Sequence, residues 1–370
     1  MSNPTPTRTV HRATTRDRVD SGRLRRHYVP MGILSARPVR SMLVIALAAL
    51  CAVFVPVAPA GAAPGDPELV ALQAEPSVAR IDTVVDYQQA YGIGAGIVLS
   101  PGGEVLTNYH VVQGANRIDV TVAGRRFPAE LIGYDRRKDV AVLQLLGAFG
   151  LPTAQIGDSA ALHPGDPVVA LGNAGGTGAP LTREIGTLTA FDRTVNAEDE
   201  LTGSSDEING LFEFAAPVRA GDSGGPVVNA AGQVVGMTTA ASVNFRMGPG
   251  GKGFAIPIND AMAVAGQIRA RIPSDSVHIG PPTLLGVGVR TAQRPNGGVI
   301  VQDVLRGGPA EAAGMRPGDL LTALDGTRLD SARTLTLVLD RHYPGDVIDL
   351  TWLDRTGRQH TGKAVLTAGP

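Results

Sequence analysis

Gly221-Asp222-Ser223-Gly224-Gly225-Pro226 sets a serine in a turn rich in glycine and closed by a proline. A serine hydroxyl becomes a nucleophile only in company. It needs a base to take its proton, a carboxylate to hold that base, and donors aimed at the charge that develops on the attacked oxygen. The glycines let the backbone turn tightly, so that the amides of Gly221 and Ser223 can point at one site. A bare Gly-x-Ser-x-Gly is as often an ordinary glycine-rich turn, whereas the six-residue string is far more specific. The string also fits the nucleophile elbow of α/β-hydrolases, so the order of the partner residues along the chain decides the fold.

α/β-Hydrolases run Ser, acid, His. The histidines after Ser223 are His278, in a stretch that reads as a linker, and His342 and His360, in a second and smaller unit. Upstream stands Leu106-Thr107-Asn108-Tyr109-His110-Val111-Val112, which sets His110 at the end of a predicted strand. Arg137-Lys138-Asp139-Val140-Ala141-Val142-Leu143 then sets Asp139 just ahead of a buried-looking strand. The order His110, Asp139, Ser223 is that of the chymotrypsin-type barrel. Taken singly, such a histidine is more often structural and such an aspartate a turn residue; their joint order, spacing and local sequence reverse that. Asp135 and Asp119 are weaker candidates for the acid, and His163, ahead of a proline, reads as a loop residue.

The surrounding pattern agrees with a β fold. From about Tyr91 to Ile258 the chain is a series of short apolar runs broken by Gly, Asn, Asp or Pro, among them Ile93–Leu99, Ile118–Val122, Val140–Leu145, Val168–Leu171, Phe212–Ala215 and Gln233–Thr239. Short strands at regular spacing with turn signals predict an all-β barrel or sandwich, and no helical pattern separates them as a parallel βαβ sheet would require. The first helical spacing covers Ile258 to Arg271, with Pro273 as its stop. Pro273–Pro282 reads as a linker, and Ala197–Gly210, polar and containing Gly and Ser, as a mobile surface loop.

Thr107-Asn108-Tyr109-His110-Val111-Val112, Lys138-Asp139-Val140-Ala141-Val142, Ala170-Leu171-Gly172-Asn173, Gly221-Asp222-Ser223-Gly224-Gly225 and Gly253-Phe254-Ala255-Ile256-Pro257 together resemble the motifs of the HtrA (Deg) family of trypsin-like serine proteases. The wording is most similar to the secreted mycobacterial and actinobacterial branch, and the resemblance covers about residues 80–370. It implies a mainly β protein, a chymotrypsin-like double β-barrel followed by a small α+β PDZ-like domain. It also implies an ATP-independent endopeptidase acting on unfolded or damaged proteins of the cell envelope, often as a homotrimer. By the same resemblance His110 is general base and then general acid, Asp139 orients it, Ser223 is the nucleophile, and the amides of Gly221 and Ser223 form the oxyanion hole. Many family members have Asn where this chain has Asp222. In the digestive branch that Asp pairs with a new N-terminus, but no Ile-Val-Gly-Gly start precedes this barrel, so Asp222 is expected to bond locally. Lys/Arg specificity needs an acid six residues before the nucleophile; Pro217 stands there. With Thr238–Ala241 as the other wall, the pocket is expected to take a small-to-medium apolar residue.

The second unit resembles a PDZ domain. Leu285-Gly286-Val287 has the form of its carboxylate-binding loop, where successive amides make a small anion nest and a peptide C-terminus adds as a strand. Pro309-Ala310-Glu311-Ala312-Ala313-Gly314-Met315, Pro317-Gly318-Asp319-Leu320-Leu321 and Asp325-Gly326 continue the resemblance, and Thr334 to Leu339 would be the flanking helix. Arg290 reads as an exposed strand residue. Gly172-Asn173-Ala174-Gly175-Gly176 lacks the Lys-Ser/Thr ending of a phosphate loop, and the scattered histidines form no metal-ligand cluster, so neither a metal nor a cofactor is expected.

The amino terminus reads as an export leader. Residues 1–40 carry a net charge of +7 and the remainder −8, which places no basic surface for nucleic acid in the folded part. Met42 to Val55 is an unbroken apolar run of 14 residues, short for a span, which needs about 20, and suited to a signal-peptide core. Ala58-Pro59-Ala60 and Ala60-Gly61-Ala62 are cleavage candidates, and Met31 is an alternative start to Met1. The lone cysteine, Cys51, falls inside the leader, so the mature chain is expected to rely on its cores rather than on a disulfide. The expected layout is a leader over 1–63, a protease domain over 64–272, a linker over 273–282 and a PDZ domain over 283–370. The location is secreted or cell-envelope, or membrane-anchored if the leader is retained. A rival from another class is a non-enzymatic chaperone or peptide-binding scaffold working through the PDZ unit; the intact triad argues against it.

Overall fold

The computed structural model describes residues 65–86, 89–176, 178–199, 204–239, 251–292 and 297–370. The leader expected over 1–63, with Cys51, lies outside the described residues. Among them no helix is long and apolar enough to cross a membrane.

A short helix, α1 (Pro67–Ala74), precedes a first barrel of β1 (Val78–Val85), β2 (Ala90–Val98), β3 (Glu104–Thr107), β4 (Arg117–Val122), β5 (Arg125–Asp135) and β6 (Val140–Leu145), with a one-turn helix, α2 (Tyr109–Val112), between β3 and β4. The strands are antiparallel in the order β5-β4-β1-β2-β3-β6, and β6 pairs back onto β5 to close the ring. The sequence states this register directly in β4, where Ile118, Val120 and Val122 point inward and Arg117, Asp119 and Thr121 do not. In β6 every position but Gln144 is buried, because both faces are covered. Ala141, Leu143 and Leu145 fill the first barrel, while Val140 and Val142 join Ile97, Leu106, Val169 and Leu171 in a core shared with the second barrel.

The second barrel comprises β7 (Pro167–Gly172), β8 (Thr182–Asp199), β9 (Ser204–Phe214), β10 (Pro226–Asn229), β11 (Val234–Thr238) and β12 (Gly253–Pro257), closed in the order β10-β11-β12-β9-β8-β7. Phe212, Phe214, Val168, Val227 and Val235 fill it. Of the stretch Ala197–Gly210, read above as a mobile loop, residues 200–203 lie outside the described residues and the rest instead supplies the outer arms of the β8 and β9 strands, with Ala197 opposite Asp206 and Asp199 opposite Ser204. Its polar, Gly/Ser-containing composition carried no alternation, so the strand signal there was invisible. The predicted helix is α3 (Ile258–Arg269), which buries Ile258, Ala261, Val264, Ala265 and Ile268.

The stretch read as a linker contains a strand, β13 (Val277–Ile279), added to the edge of β5 with His278 opposite Tyr134. The C-terminal domain then has β15 (Val287–Thr291), β16 (Val299–Val304), β17 (Leu320–Leu324), β19 (Val347–Leu353) and β20 (Gln359–Val365) in one sheet. β18 (Thr327–Arg328) hangs on β17, and β14 (Thr283–Leu284) pairs β21 (Thr367–Ala368). Two helices, α4 (Pro309–Ala312) and α5 (Ala332–Leu339), complete it; α5 starts two residues before the expected helix because Ser331 caps it through Thr334 N.

Candidate active site

Ser223 lies in the β9–β10 connection, and the turn is held by backbone contacts on every side. Ala95 N donates to Ser223 O (2.8 Å), Gly224 N to Thr238 O (2.8 Å), and Thr238 N to Gly225 O (2.8 Å). Gly224 has φ +83°, and a Cβ there would stand 2.2 Å from Ala95 O and 2.3 Å from Thr107 Oγ1. Glycine is obligatory at this point for both conformation and space. The contact sets the serine turn against Thr107, three residues before His110. Gly221 has φ +94°, with Asp222 N donating to Arg219 O at 3.0 Å. A positive φ at the third position of that closed turn is the type II signature.

Asp222 is buried and bonds locally, as expected. Its Oδ2 accepts from Arg219 N (2.9 Å) and its Oδ1 from Ala174 N (3.1 Å) and from the Thr182 hydroxyl. Next to it, fully buried Asn173 donates through Nδ2 to Gly94 O (3.1 Å), accepts from Arg80 Nη1 (2.7 Å), and gives its own N–H to Gly221 O (3.1 Å). These bonds tie the Arg219–Asp222 turn to both barrels.

His110 was expected at the end of a strand; it is the second residue of α2, which follows β3. Asp139 sits in the β5–β6 turn at φ +53°, with its side chain 5% exposed against 40% for His110. Its Oδ2 meets His110 Nδ1 at 2.8 Å, and its Oδ1 accepts from His110 N at 3.0 Å. Asn108 Nδ2 (3.0 Å) and Tyr109 N (3.3 Å) donate to Asp139 O, and Thr239 Oγ1 donates to Asp139 Oδ2 (3.3 Å). A carboxylate facing Nδ1 makes that nitrogen the donor and leaves Nε2 to accept a proton. Desolvation opposes charging of the imidazole, but the charge and hydrogen bond of Asp139 outweigh it, so His110 titrates above 6.5.

The weaker candidates have other roles. Asp135 accepts from Lys138 N and Ser276 Oγ, Asp119 pairs with Arg117 and Arg126 at the surface, and His163 N bonds Asp166 in an exposed loop. Pro217 packs against Gly251, while the opposite wall is described as far as the buried Thr238 and Thr239; Ala240 and Ala241 lie outside the described residues. In the C-terminal domain Gly286 has φ +79°, its carbonyl accepts from Leu305 N (2.9 Å) and that of Leu285 from Ala310 N (2.9 Å). Among the described strands β15 pairs with β16 alone, and Ala332 N, at the start of α5, donates to Thr291 Oγ1 at the end of β15 (3.1 Å). Arg290 is exposed. No group of three His, Cys, Asp or Glu among the described residues could hold a metal.

Residues 94–237 match the trypsin-like peptidase domain family, and residues 283–361 the PDZ domain family. The serine protease Do-like HtrA of Lactococcus lactis subsp. lactis is 31% identical over 289 residues, covering 74% of this chain and 70% of that protein. The chain belongs to the HtrA family of trypsin-like serine proteases. Two other HtrA relatives are similarly distant. A probable periplasmic serine protease of Haemophilus influenzae is 33% identical over 75% of this chain, and the serine protease PepD of Mycobacterium tuberculosis 30% identical over 82%. This chain spans 58% and 66% of those two proteins' lengths, about two thirds or less.

Sequence reasoning missed two parts of the HtrA site. Asn173 was quoted within a motif without a role, and its buried side chain is the joint between the barrels. Thr239 was assigned to a pocket wall, yet its hydroxyl reaches Asp139. These three bonds cross sequence separations of 79 to 100 residues, which no local pattern encodes.

Proposed function

We propose that this protein is a serine endopeptidase of the HtrA type that hydrolyses unfolded polypeptides through an acyl-enzyme. The observation that carries the reading is the double grip of Asp139 on His110, through ring Nδ1 and backbone N, beside a serine turn pinned to Ala95 and Thr107. Ser223 Oγ attacks the scissile carbonyl carbon and gives its proton to His110 Nε2. The carbonyl oxygen becomes an oxyanion facing the amides of Gly221 and Ser223. Collapse breaks the C–N bond, His110 protonates the leaving amine, and water then cleaves the ester by the same sequence. Asp139 holds the tautomer and stabilises the imidazolium.

The PDZ domain would bind peptide C-termini, with the carboxylate at Leu285-Gly286-Val287 and the chain added along β15. The site of action would be outside the cytoplasm, as the Haemophilus relative's name states for that protein, and the chemistry needs no nucleotide. Wild-type protein should be labelled at Ser223 by a fluorophosphonate and should degrade casein. Ser223→Ala should abolish both, lowering the cleavage rate by about 10⁴-fold or more with the thermal midpoint unchanged. Near-normal cleavage by that variant would remove the triad assignment and leave the peptide-binding scaffold as the better reading.

A further inference from the structure

Outside the triad, one buried charge has no counterpart in the chemistry above. Arg136 lies in the turn after β5, and its side chain is only 10% exposed. Its Nε donates to Asp340 Oδ2 (2.7 Å) and its Nη2 to Asp340 Oδ1 (3.3 Å), a two-pronged pair. Asp340 is the residue that caps the C-terminus of α5, so this carboxylate belongs to the PDZ domain. It also accepts from Tyr134 OH at 2.7 Å, and its backbone carbonyl lies 2.9 Å from His278 Nδ1.

Arg136 continues toward the catalytic side. Its Nη2 donates to Tyr109 OH (2.9 Å) and its guanidinium lies 4.6 Å over the Tyr109 ring, which is stacked on Tyr134 at 4.3 Å. Its backbone carbonyl accepts from Asp139 N at 3.3 Å. One side chain therefore grips the residue next to His110 while its backbone belongs to the turn that presents Asp139.

We propose that Asp340 of the PDZ domain is a positioning residue for His110, acting through Arg136 and Tyr109, so that the protease site is complete only with the PDZ domain docked. The inference rests on the protease reading above. A single helical turn cannot hold itself in place; the position of α2 comes from its tertiary anchors, and the Tyr109 side chain is one of them. Without the Asp340 carboxylate, Arg136 is left as a buried uncompensated charge, which must turn outward or draw in water. Either movement takes the Arg136 bond and the overlying guanidinium from Tyr109 and loosens the helix that carries the base. Misplacement of a catalytic group by about an ångström is enough to cost up to about 10²-fold in rate.

The test uses the full chain and two variants, Asp340→Asn and Tyr109→Phe, with their double. Tyr109→Phe keeps the stacked ring and removes only the hydroxyl, so it remains informative if Asp340→Asn fails to fold. The readouts are the rate of fluorophosphonate labelling at Ser223, and kcat and KM on a peptide substrate. Each variant should lower labelling and kcat by about tenfold with KM changed less than about twofold, and the double should be no worse than the poorer single. Labelling of both variants at the wild-type rate, a loss confined to KM, or additive losses in the double would overturn the inference while leaving the protease reading intact. Failure of the wild-type protein to label would overturn both.

Discussion

The turn that carries Ser223 and the helix that carries His110 serve one reaction but are fixed by opposite means. The serine turn is set by its own backbone: glycines at φ +94° and +83°, amides spent on neighbouring strands, and a Cβ excluded by Ala95 O. The histidine helix is four residues long and is set by side chains from elsewhere, Asp139 below it and Arg136 with Asp340 beside it. The first arrangement tolerates almost no change in its own sequence and is held chiefly by backbone groups, those of Ala95, Asn173 and Thr238 among them. The second tolerates local change but depends on a chain of partners that itself spans 204 residues, from Arg136 to Asp340.

The most severe way to break the base side is Asp139→Asn. The shape survives, but an amide facing Nδ1 favours the wrong tautomer, and kcat should fall by about 10⁴-fold. The same variant tests the titration. Asp139 raises the pKa of His110 above 6.5, so activity, which needs the neutral imidazole, should rise with pH through a midpoint above 6.5. The stabilisation from the charged pair is fully present below pH 6.5 and is lost as pH rises through the folded-state value. In Asp139→Asn the activity midpoint should move down and that pH-dependent stability should vanish. An unchanged midpoint in residual activity would show that another group controls the limb.

On the nucleophile side one methyl group should suffice. Gly224→Ala must find room within 2.2 Å of Ala95 O at a backbone conformation alanine resists. Strain and overpacking together should cost about 2–4 kcal/mol, visible as a lower thermal midpoint as well as lost labelling at Ser223. A stable, active Gly224→Ala would mean that the turn can be rebuilt locally, and the contrast between the two sides would disappear.

That contrast also explains what could be read in advance. The β character, α3 and the glycine turn were legible because each depends on residues close in sequence, such as the alternation in β4, the apolar run of β6 and the glycines at 221 and 224, whereas the double barrel followed from the resemblance of several separate motifs. The outer arms of β8 and β9 were not, because their polar, Gly- and Ser-containing sequence shows no alternating face and reads as a loop. β13 hid in a Pro/Ser/Gly-containing stretch, since three residues added to a strand edge need only backbone to pair. Arg136 was equally silent. It is the first of three basic residues after a strand, Arg136-Arg137-Lys138, which by composition belong in solvent, and only the fold brings α5 to its side.

The two sides of the site touch at Thr239. Thr239 follows Thr238, whose backbone holds Gly224 and Gly225, and its own hydroxyl donates to Asp139 Oδ2 at 3.3 Å. It is therefore the direct link from the nucleophile turn to the carboxylate that holds the base. The bond is long, and the same oxygen already receives His110 Nδ1 at 2.8 Å, so its loss leaves the carboxylate satisfied. Thr239→Val preserves shape and packing inside a fully buried position. It should cost no more than about 1.5 kcal/mol of stability and less than about tenfold in kcat. Because removing an acceptor bond makes Asp139 less well held without changing its charge, the midpoint of the pH profile should stay near the wild-type value. A loss in kcat larger than that of Asp340→Asn would mean that the base is held chiefly from the serine side, and the division drawn between the two would have to be reversed.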